Sequence, residues 1–179
     1  AMVGGISPWK NQLDLIKVAK KILDNREDVC FYIFGDIISR KYYELLKNEK
    51  ERHILKNQII FGGFIKDIPN LLGSIDIILH TTKVESFGRI LIESNALCVP
   101  VVAYNSGAIP EIIKDGKNGL LVDTDNTDRL ANSVIRLLEN KNLRSKLGHY
   151  GKSRVMKKFS VGQSIEKLND IYNDVFIKK

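Results

Sequence analysis

The sequence is poor in the residues that cross-link or ligate small proteins. It contains two cysteines and three histidines in 179 residues. Cys30 and Cys98 stand in unrelated apolar contexts without a C-x-x-C motif, which indicates small buried thiols in a reducing compartment and excludes a disulfide scaffold. His53, His80 and His149 are scattered at spacings that match neither a zinc nor an iron site. We therefore expect a protein core without metal.

Long apolar runs are absent as well. No segment approaches the roughly 18 consecutive apolar residues of a membrane-spanning helix, and the first residues lack the regions of a signal peptide. A hydrophobic content of 44% and a charged content of 27% are ordinary for a globular protein. The apolar start Ala-Met-Val is typical of the interior of a longer chain, so we expect sequence upstream. These features predict a cytoplasmic protein with a single domain over residues 1–179.

Positive charge is in excess. The formal net charge of +7 suits nucleic acid, an anionic membrane or a phosphorylated ligand, because all three concentrate negative charge. Many lysines fall on the predicted helices, where a solvated face explains them, and no basic motif with interleaved aromatic residues is present. We expect no nucleic-acid partner, although a basic nucleic-acid-binding module stays as the non-enzymatic alternative.

Short apolar strands alternate with helical segments along the whole chain. Strands are expected over 3–6, 29–34, 58–61, 75–79, 99–103 and 119–122, and helices over about 13–23, 40–50, 68–72, 87–97, 127–138, 143–156 and 163–176. The strands are apolar on both faces, which is typical of parallel sheets covered on two sides. The pattern predicts an α/β fold with a Rossmann-like open parallel sheet of about six strands and helices on both faces. Ligands bind such sheets beyond the carboxyl ends of the strands.

The first helix is expected directly after the first strand. Ser7 and Pro8 supply an N-cap residue and a proline suited to the first helical position. Trp9 can stack on a base or a sugar, but an aromatic residue beside a helix start more often staples the helix to the sheet, and we expect the staple.

The stretch over 85–93, Glu-Ser-Phe-Gly-Arg-Ile-Leu-Ile-Glu, is the most informative part of the chain. It follows a buried strand and begins a helix, and a helix start attracts phosphate through unpaired N–H groups. Gly88 lowers helix propensity by about 1 kcal/mol but allows close backbone approach. An alternative without function makes Ser86 an ordinary N-cap and Arg89 with Glu93 a surface pair four residues apart.

Five ordered motifs resemble the large glycosyltransferase family four. Two glutamates of its kind, Glu85 and Glu93, lie in similar surroundings, and the resemblance extends along nearly the whole chain. The other similar segments are Val3-Gly4-Gly5-Ile6-Ser7-Pro8-Trp9-Lys10, Phe34-Gly35-Asp36 with Phe61-Gly62-Gly63-Phe64, Gly107-Ala108-Ile109-Pro110-Glu111-Ile112-Ile113, and Asp115-Gly116-Lys117-Asn118-Gly119-Leu120-Leu121-Val122. Family members have the two-domain GT-B fold, so the resemblance implies the C-terminal half, which binds the nucleotide-sugar donor.

The resemblance also implies roles for residues. Glu85 and Lys10 are the candidate catalytic residues: Glu85 would contact the donor sugar, and Lys10 would neutralise the diphosphate leaving group. Glu93 would bind the ribose hydroxyls, while Phe87 and Gly88 would donate backbone N–H groups to the diphosphate. Backbone near 63–65 would hold the base. The full set of expected donor-binding residues is Gly4, Gly5, Lys10, Gly63, Phe64, Ser86, Phe87, Gly88, Arg89 and Glu93, with no metal ligand.

The sequence departs from the family in two places. Gly5 stands where an arginine usually assists the lysine, which weakens the expected hold on the diphosphate. Thr81 and Thr82 replace a proline and a serine, and Thr82 is a candidate cap for the turn of Glu85. His80 ends a buried strand; it is a candidate proton carrier, although a hydrogen-bonded structural role is the stronger expectation.

The sequence thus predicts the donor-binding half of a retaining glycosyltransferase that uses a UDP- or GDP-type sugar and no cofactor, in synthesis of a cell-surface polysaccharide or glycolipid. Its expected partners are the donor and an absent N-terminal acceptor domain, through which any membrane contact would run. Half of a sugar-nucleotide epimerase of similar build is the alternative enzyme class.

Overall fold

The computed structural model describes residues 1–53 and 57–176. The strands in this part of the chain are β1 (Met2–Val3), β2 (Phe31–Phe34), β3 (Ile59–Gly63), β4 (Ile78–His80), β5 (Val101–Tyr104) and β6 (Gly119–Val122). They are all parallel and form two three-stranded sheets, in the orders β1-β2-β3 and β4-β5-β6.

The two sheets meet along β1 and β4. The Leu79 N–H donates to the Ala1 carbonyl at 2.8 Å, and the Ala1 amino group donates to the Ile77 carbonyl at 2.7 Å. The strands therefore lie side by side in the order 3-2-1-4-5-6, and the direction of winding reverses between β1 and β4. This confirms the predicted Rossmann-like α/β fold, and the reversal marks the crevice in which such folds bind ligands.

Helices cover both faces of the sheets. They are α1 (Gln12–Leu23), α2 (Arg40–Arg52), α3 (Ile68–Gly73), α4 (Arg89–Ala96), α5 (Ile109–Ile112), α6 (Thr127–Glu139), α7 (Lys141–Lys158) and α8 (Val161–Phe176). Along β5, Val102 belongs to the core under α1 and α6, whereas Val101 and Ala103 belong to the core under α4 and α5. None of the helices in the described residues combines the length and apolar character needed to cross a lipid bilayer.

Helix α1 begins later than Ser7 and Pro8 predict. Residues 7–11 form a turn that closes through the Asn11 N–H, and Asn11 adopts a left-handed conformation (φ 56°) as the N-cap of α1. Trp9 lies on this turn with 69% of its surface exposed. The predicted staple is therefore wrong, because a side chain exposed to this extent does not pack the helix against the sheet.

The cysteines are less buried than predicted. Cys30 is exposed where the chain enters β2 at the amino ends of the strands, and Cys98 is half-buried in the turn that follows α4. Neither thiol belongs to the two apolar cores.

Helix α8 stands apart from the core. It has no buried residue, and its apolar side chains recur every three or four residues along one side. This α8 apolar face consists of Val161, Ile165, Leu168, Tyr172 and Val175, each more than half exposed.

A buried carboxylate on α1 ties together three parts of the fold. Asp14 Oδ2 accepts hydrogen bonds from Asn11 Nδ2 at 2.7 Å and from the Tyr104 hydroxyl at 2.8 Å, and Oδ1 accepts from Lys17 Nζ at 2.9 Å. Burial raises the pKa of Asp14, but the hydrogen bonds from Lys17, Tyr104 and Asn11 outweigh it and hold the pKa below the ordinary value of 3.8.

Asp14→Asn is expected to lower the free energy of unfolding at pH 7 by about 1–2 kcal/mol, because a charge-assisted acceptor is lost. The depressed pKa means that the charge contributes fully above about pH 4 and loses its contribution as the pH falls through the folded-state pKa. Thermal unfolding from pH 7 to pH 3 should show the difference in Tm shrinking below about pH 4. Asp24→Asn is the control, because Asp24 is exposed and pairs with Lys20 at 2.7 Å. It should lower the free energy of unfolding by only a few tenths of a kcal/mol. If the difference in Tm between Asp14→Asn and the unsubstituted chain stays constant from pH 7 to pH 3, this account is contradicted.

Candidate functional site

The winding reversal brings two loops together. The loop over 4–11 follows β1 and carries Lys10, and the loop over 81–88 follows β4 and carries Glu85. Because both strands run in the same direction, both loops leave the same edge of the sheet. Lys10 Nζ donates to Glu85 Oε2 at 2.8 Å, so the structure pairs the two candidate catalytic residues across 75 positions of sequence.

The Lys10 loop is fastened by a buried threonine at the end of β4. Thr81 Oγ1 donates to the Asn11 carbonyl at 2.8 Å and lies 3.2 Å from the Lys10 carbonyl. Thr81, one of the two residues at which the sequence departs from the family, thus has a structural role: its hydroxyl anchors the loop that carries Lys10. The hydroxyl of Thr82 is buried and finds no hydrogen-bond partner among the described residues, so the prediction that it caps the turn of Glu85 is wrong.

Glu85 caps its own turn. Its Oε1 accepts the N–H groups of Phe87 at 3.4 Å and Gly88 at 3.1 Å, and Gly88 is the left-handed N-cap (φ 77°) from which α4 starts at Arg89. The alternative in which Ser86 caps the helix is therefore wrong, because the helix begins at Arg89 with Gly88 as its N-cap, two residues after Ser86.

This arrangement changes the expected contact with a diphosphate. The N–H groups of Phe87 and Gly88 are engaged with Glu85 instead of facing an empty site. The next N–H groups, those of Arg89 and Ile90, fall in the first turn of α4, where no partner four residues earlier belongs to the helix. Arg89 and Ile90 therefore carry the backbone N–H groups at this helix start that have no partner within the helix.

His80 is buried and hydrogen-bonded, as the sequence favoured, and its partner is the candidate catalytic residue Glu85. Its side chain is 1% exposed, and its Nε2 lies 3.0 Å from Glu85 Oε2, the oxygen that also accepts from Lys10. The hydrogen bond with His80 and that from Lys10 hold the pKa of Glu85 well below its usual range, against the opposing effect of burial. Burial in turn lowers the pKa of His80, so the imidazole is neutral at pH 7.

Two adjoining cavities of about 390 Å³ each open beside this cluster. Both are bounded by Val3, Gly4, Ile68 and Arg89. The first is completed by Lys10, Glu85, Phe87, Gly88, Ile90 and Glu93, and the second by Gly5, Phe34, Gly35, Asp36, Ile38, Phe64, Ile65 and Lys66. Together they have the size of a cofactor or nucleotide site.

Most of the expected donor-binding residues line these cavities. Gly63 and Ser86 do not: Gly63 ends β3 just before the second cavity, and Ser86 is exposed on the outside of the Glu85 turn. Arg89 Nε lies 3.1 Å from Glu93 Oε1, which confirms the surface pair four residues apart. Both side chains nevertheless border the first cavity, so the pairing does not exclude a role in binding.

Gly5 is enforced by packing. A Cβ atom at this position would lie 2.7 Å from Ile38 Cγ1, closer than side chains tolerate. The side chain of Ile38 therefore occupies the space that a side chain at position 5 would need. The cations that border the two cavities are Lys10, Arg89 and Lys66.

Two exposed aromatic side chains line the cavities. Phe87, 58% exposed, borders the first cavity, and Phe64, 60% exposed, borders the second. Within residues 1–53 and 57–176, no group of three or more His, Cys, Asp or Glu side chains is close enough to hold a metal ion.

The sequence matches a model of a known protein family over most of its length. The match covers residues 1–154, and the family is described as glycosyl transferases group 1. The chain belongs to this family. The expectation drawn from the two glutamates and their surroundings is thereby confirmed.

Relatives of this glycosyl transferase group 1 chain are about twice as long. It is 28% identical over 166 residues to the N-acetyl-alpha-D-glucosaminyl L-malate synthase of Bacillus anthracis, covering 93% of this chain and 42% of that protein. It is likewise 28% identical to the capsular polysaccharide biosynthesis glycosyltransferase CapM of Staphylococcus aureus, covering 99% of this chain and 46% of that protein. The chain therefore spans about half the length of the curated relatives it matches.

The solved structure of Anabaena HepE in complex with UDP has a similar fold. The TM-score is 0.90 at 27% sequence identity, over 97% of this chain and 48% of HepE. HepE has also been solved with UDP-glucose. These similarities place the glycosyl transferase chain in one half of a GT-B architecture.

Proposed function

We propose that the chain is the donor-binding half of a retaining glycosyltransferase that takes a sugar from a nucleoside diphosphate sugar of UDP or GDP type. We place its product in a cell-surface polysaccharide or glycolipid. The observation that carries the proposal is the Lys10–Glu85 pair, 2.8 Å apart at the winding reversal. It lines the first of two adjoining cavities that together have the size of a nucleotide site. Relatives named for capsule synthesis and a relative bound to UDP-glucose support it.

The cavities suit the two ends of such a donor. The cavity with Lys10, Glu85 and Glu93 would take the diphosphate and its sugar and ribose, and the cavity with Phe64 and Ile65 would take the base. Glu93 would accept hydrogen bonds from the ribose hydroxyls, and Glu85 from the sugar. The base would rest on backbone and apolar side chains.

Lys10 has the chemistry that the leaving group needs. Breakage of the glycosidic bond leaves negative charge on the diphosphate, and a fixed cation beside it stabilises the transition state more than the ground state. The first turn of α4 and Arg89 add positive potential at the same place. The reaction then needs no carboxylate nucleophile, provided that the acceptor is held on the same face of the sugar.

The second half of the enzyme would supply that acceptor. Relatives contain about as much sequence again as this chain, and the aromatic side chains of Phe64 and Phe87 stay exposed at the cavities. The α8 apolar face is exposed as well. A companion domain would cover apolar surface of this kind and close the cleft over the donor. We expect the chain alone to bind donor without transferring sugar.

A thermal-shift panel tests the proposal. UDP-glucose, UDP-N-acetylglucosamine, GDP-mannose and their nucleoside diphosphates are titrated against the chain, and the correct donor should raise Tm because it binds only the native state. Stabilisation by DNA or RNA oligonucleotides alone would instead favour the basic nucleic-acid module. Solvent deuterium entering a sugar carbon would favour an epimerase, and sugar transfer by the isolated chain would disprove the half-enzyme assignment.

Glu93→Ala is expected to weaken binding of that donor about tenfold, because the ribose hydroxyls lose a charged acceptor. Isothermal titration calorimetry measures the change. Glu51→Ala is a suitable control, because Glu51 is an exposed glutamate on α2 far from the cavities. Equal affinities for Glu93→Ala and Glu51→Ala would remove Glu93 from the ribose site.

A further inference from the structure

The hydrogen bonds of Glu85 divide between its two oxygens. Oε1 accepts the backbone N–H groups of Phe87 and Gly88, whereas Oε2 faces Lys10 at 2.8 Å and His80 at 3.0 Å. The backbone contacts hold one oxygen at the helix start. The orientation of the other oxygen depends on two side chains.

Those two side chains differ in their freedom to move. Lys10 has 29% of its side chain exposed and borders the first cavity, so its ammonium group can turn toward a ligand there. His80 is 1% exposed and lies at the end of β4, where it pairs in register with Ala103 of β5. His80 therefore stays in place when Lys10 moves.

The proposed function requires Lys10 to move. A diphosphate in the first cavity competes with Glu85 for the lysine, and it carries more negative charge than one carboxylate. When Lys10 turns to the diphosphate, Glu85 Oε2 keeps only the hydrogen bond from His80. Without that bond only the backbone contacts to Oε1, at 3.1 and 3.4 Å, would resist rotation of the carboxylate about its last side-chain torsion, which is broad in energy.

The protonation of His80 fits this task. The buried imidazole is neutral, and the carboxylate beside Nε2 draws the single ring proton to that nitrogen. The other nitrogen, Nδ1, is buried and has no partner among the described residues, as expected for the nitrogen without a proton. The ring thus presents one donor, aimed at Glu85.

We infer that His80 is a positioning residue whose Nε2–H group holds Glu85 toward the donor sugar after Lys10 has turned to the diphosphate. The inference rests on the proposed function. It assigns His80 an effect on the sugar and not on the nucleotide, because His80 reaches the ligand only through Glu85.

The test compares donor and nucleoside diphosphate on the same variants. The pair is UDP-glucose with UDP, or GDP-mannose with GDP, whichever the unsubstituted chain binds, and calorimetry gives each dissociation constant. His80→Leu should weaken binding of the sugar nucleotide about tenfold, as expected for one lost charge-assisted hydrogen bond. It should weaken binding of the nucleoside diphosphate less than about threefold. His80→Gln retains an N–H donor and should restore the sugar nucleotide to within about threefold.

Glu85→Ala shows whether the effect passes through the carboxylate. Adding His80→Leu to Glu85→Ala should change donor affinity no further, because the group that His80 positions is gone. Far-UV circular dichroism and Tm check folding. If His80→Leu does not fold, His80→Asn replaces it, since its shorter amide does not reach Oε2.

Equal losses for sugar nucleotide and nucleoside diphosphate in His80→Leu would overturn the inference, because they indicate a purely structural histidine. Unchanged affinities for both ligands would overturn it as well. Either result leaves the proposed function intact. If the unsubstituted chain binds no nucleotide sugar, the proposed function fails and the inference fails with it.

Discussion

Lys10→Met is expected to weaken binding of the nucleoside diphosphate sugar about 100-fold, equivalent to about 3 kcal/mol. The substitution removes the cation that faces the diphosphate, and it also leaves Glu85 as an unpaired carboxylate beside an anionic ligand. Glu85 is 9% exposed on its side chain, so water screens it poorly. Two unfavourable changes therefore add at one place.

The double substitution Lys10→Met with Glu85→Gln separates these two changes. Glutamine removes the repulsion, so the double variant should bind the nucleoside diphosphate about tenfold better than Lys10→Met alone. Calorimetry at constant ionic strength is the measurement, since salt screens such contacts. Lys152→Met, on the exposed side of α7, is the control and should bind normally. Normal affinity in Lys10→Met would show that Lys10 does not meet the diphosphate.

Gly107→Ala is expected to lower the free energy of unfolding by about 3 kcal/mol and to impair donor binding at the same time. Gly107 has a positive φ of 51°, and a Cβ atom there would lie 2.2 Å from the backbone oxygen of Glu85. The neighbouring Ala108 N–H donates to that oxygen at 2.8 Å. The added methyl group must push the Glu85 turn away, which pulls the carboxylate from Lys10 and His80.

Gly116→Ala is the matched control for this substitution. Gly116 also has a positive φ, 69°, but nothing lies within 4 Å of a Cβ atom placed there. Gly116→Ala should lower the free energy of unfolding by only about 1 kcal/mol, because alanine disfavours this backbone conformation, and it should leave donor binding unchanged. Urea unfolding with donor titration measures both effects. If the two variants lose equal stability, the contact between position 107 and the Glu85 turn is not what excludes a side chain.

The order of elements could be predicted because each strand is a short apolar run between helical segments. Boundaries shifted where the backbone departs from the pattern. The sequence predicts a strand over 3–6, but β1 ends at Val3, and Ile6 only forms an isolated bridge with Ile37. Hydrophobicity continues through this segment, whereas the parallel ladder does not.

The resemblance to the family pointed to Lys10 and Glu85 separately, but their direct contact depends on the adjacency of β1 and β4, which the structure supplies. The contact of His80 with Glu85 could not be predicted either, because it depends on how five residues turn at the end of β4, and an isolated buried histidine has many ordinary explanations. The prediction that Trp9 staples the first helix was wrong for a related reason: a Ser-Pro pair is as common in a turn as at a helix start. Such choices are made by long-range contacts, here the bond from Thr81 to the Asn11 carbonyl.

The contact between position 5 and Ile38 restricts how this site can change through substitution. An arginine at position 5 would collide with Ile38 Cγ1, on a β-branched side chain that rotates little. A side chain at position 5 therefore requires Ile38 to move or to be exchanged for a smaller residue. Positions 5 and 38 are thus coupled, since the energetic cost of a longer residue at position 5 depends on which residue occupies position 38.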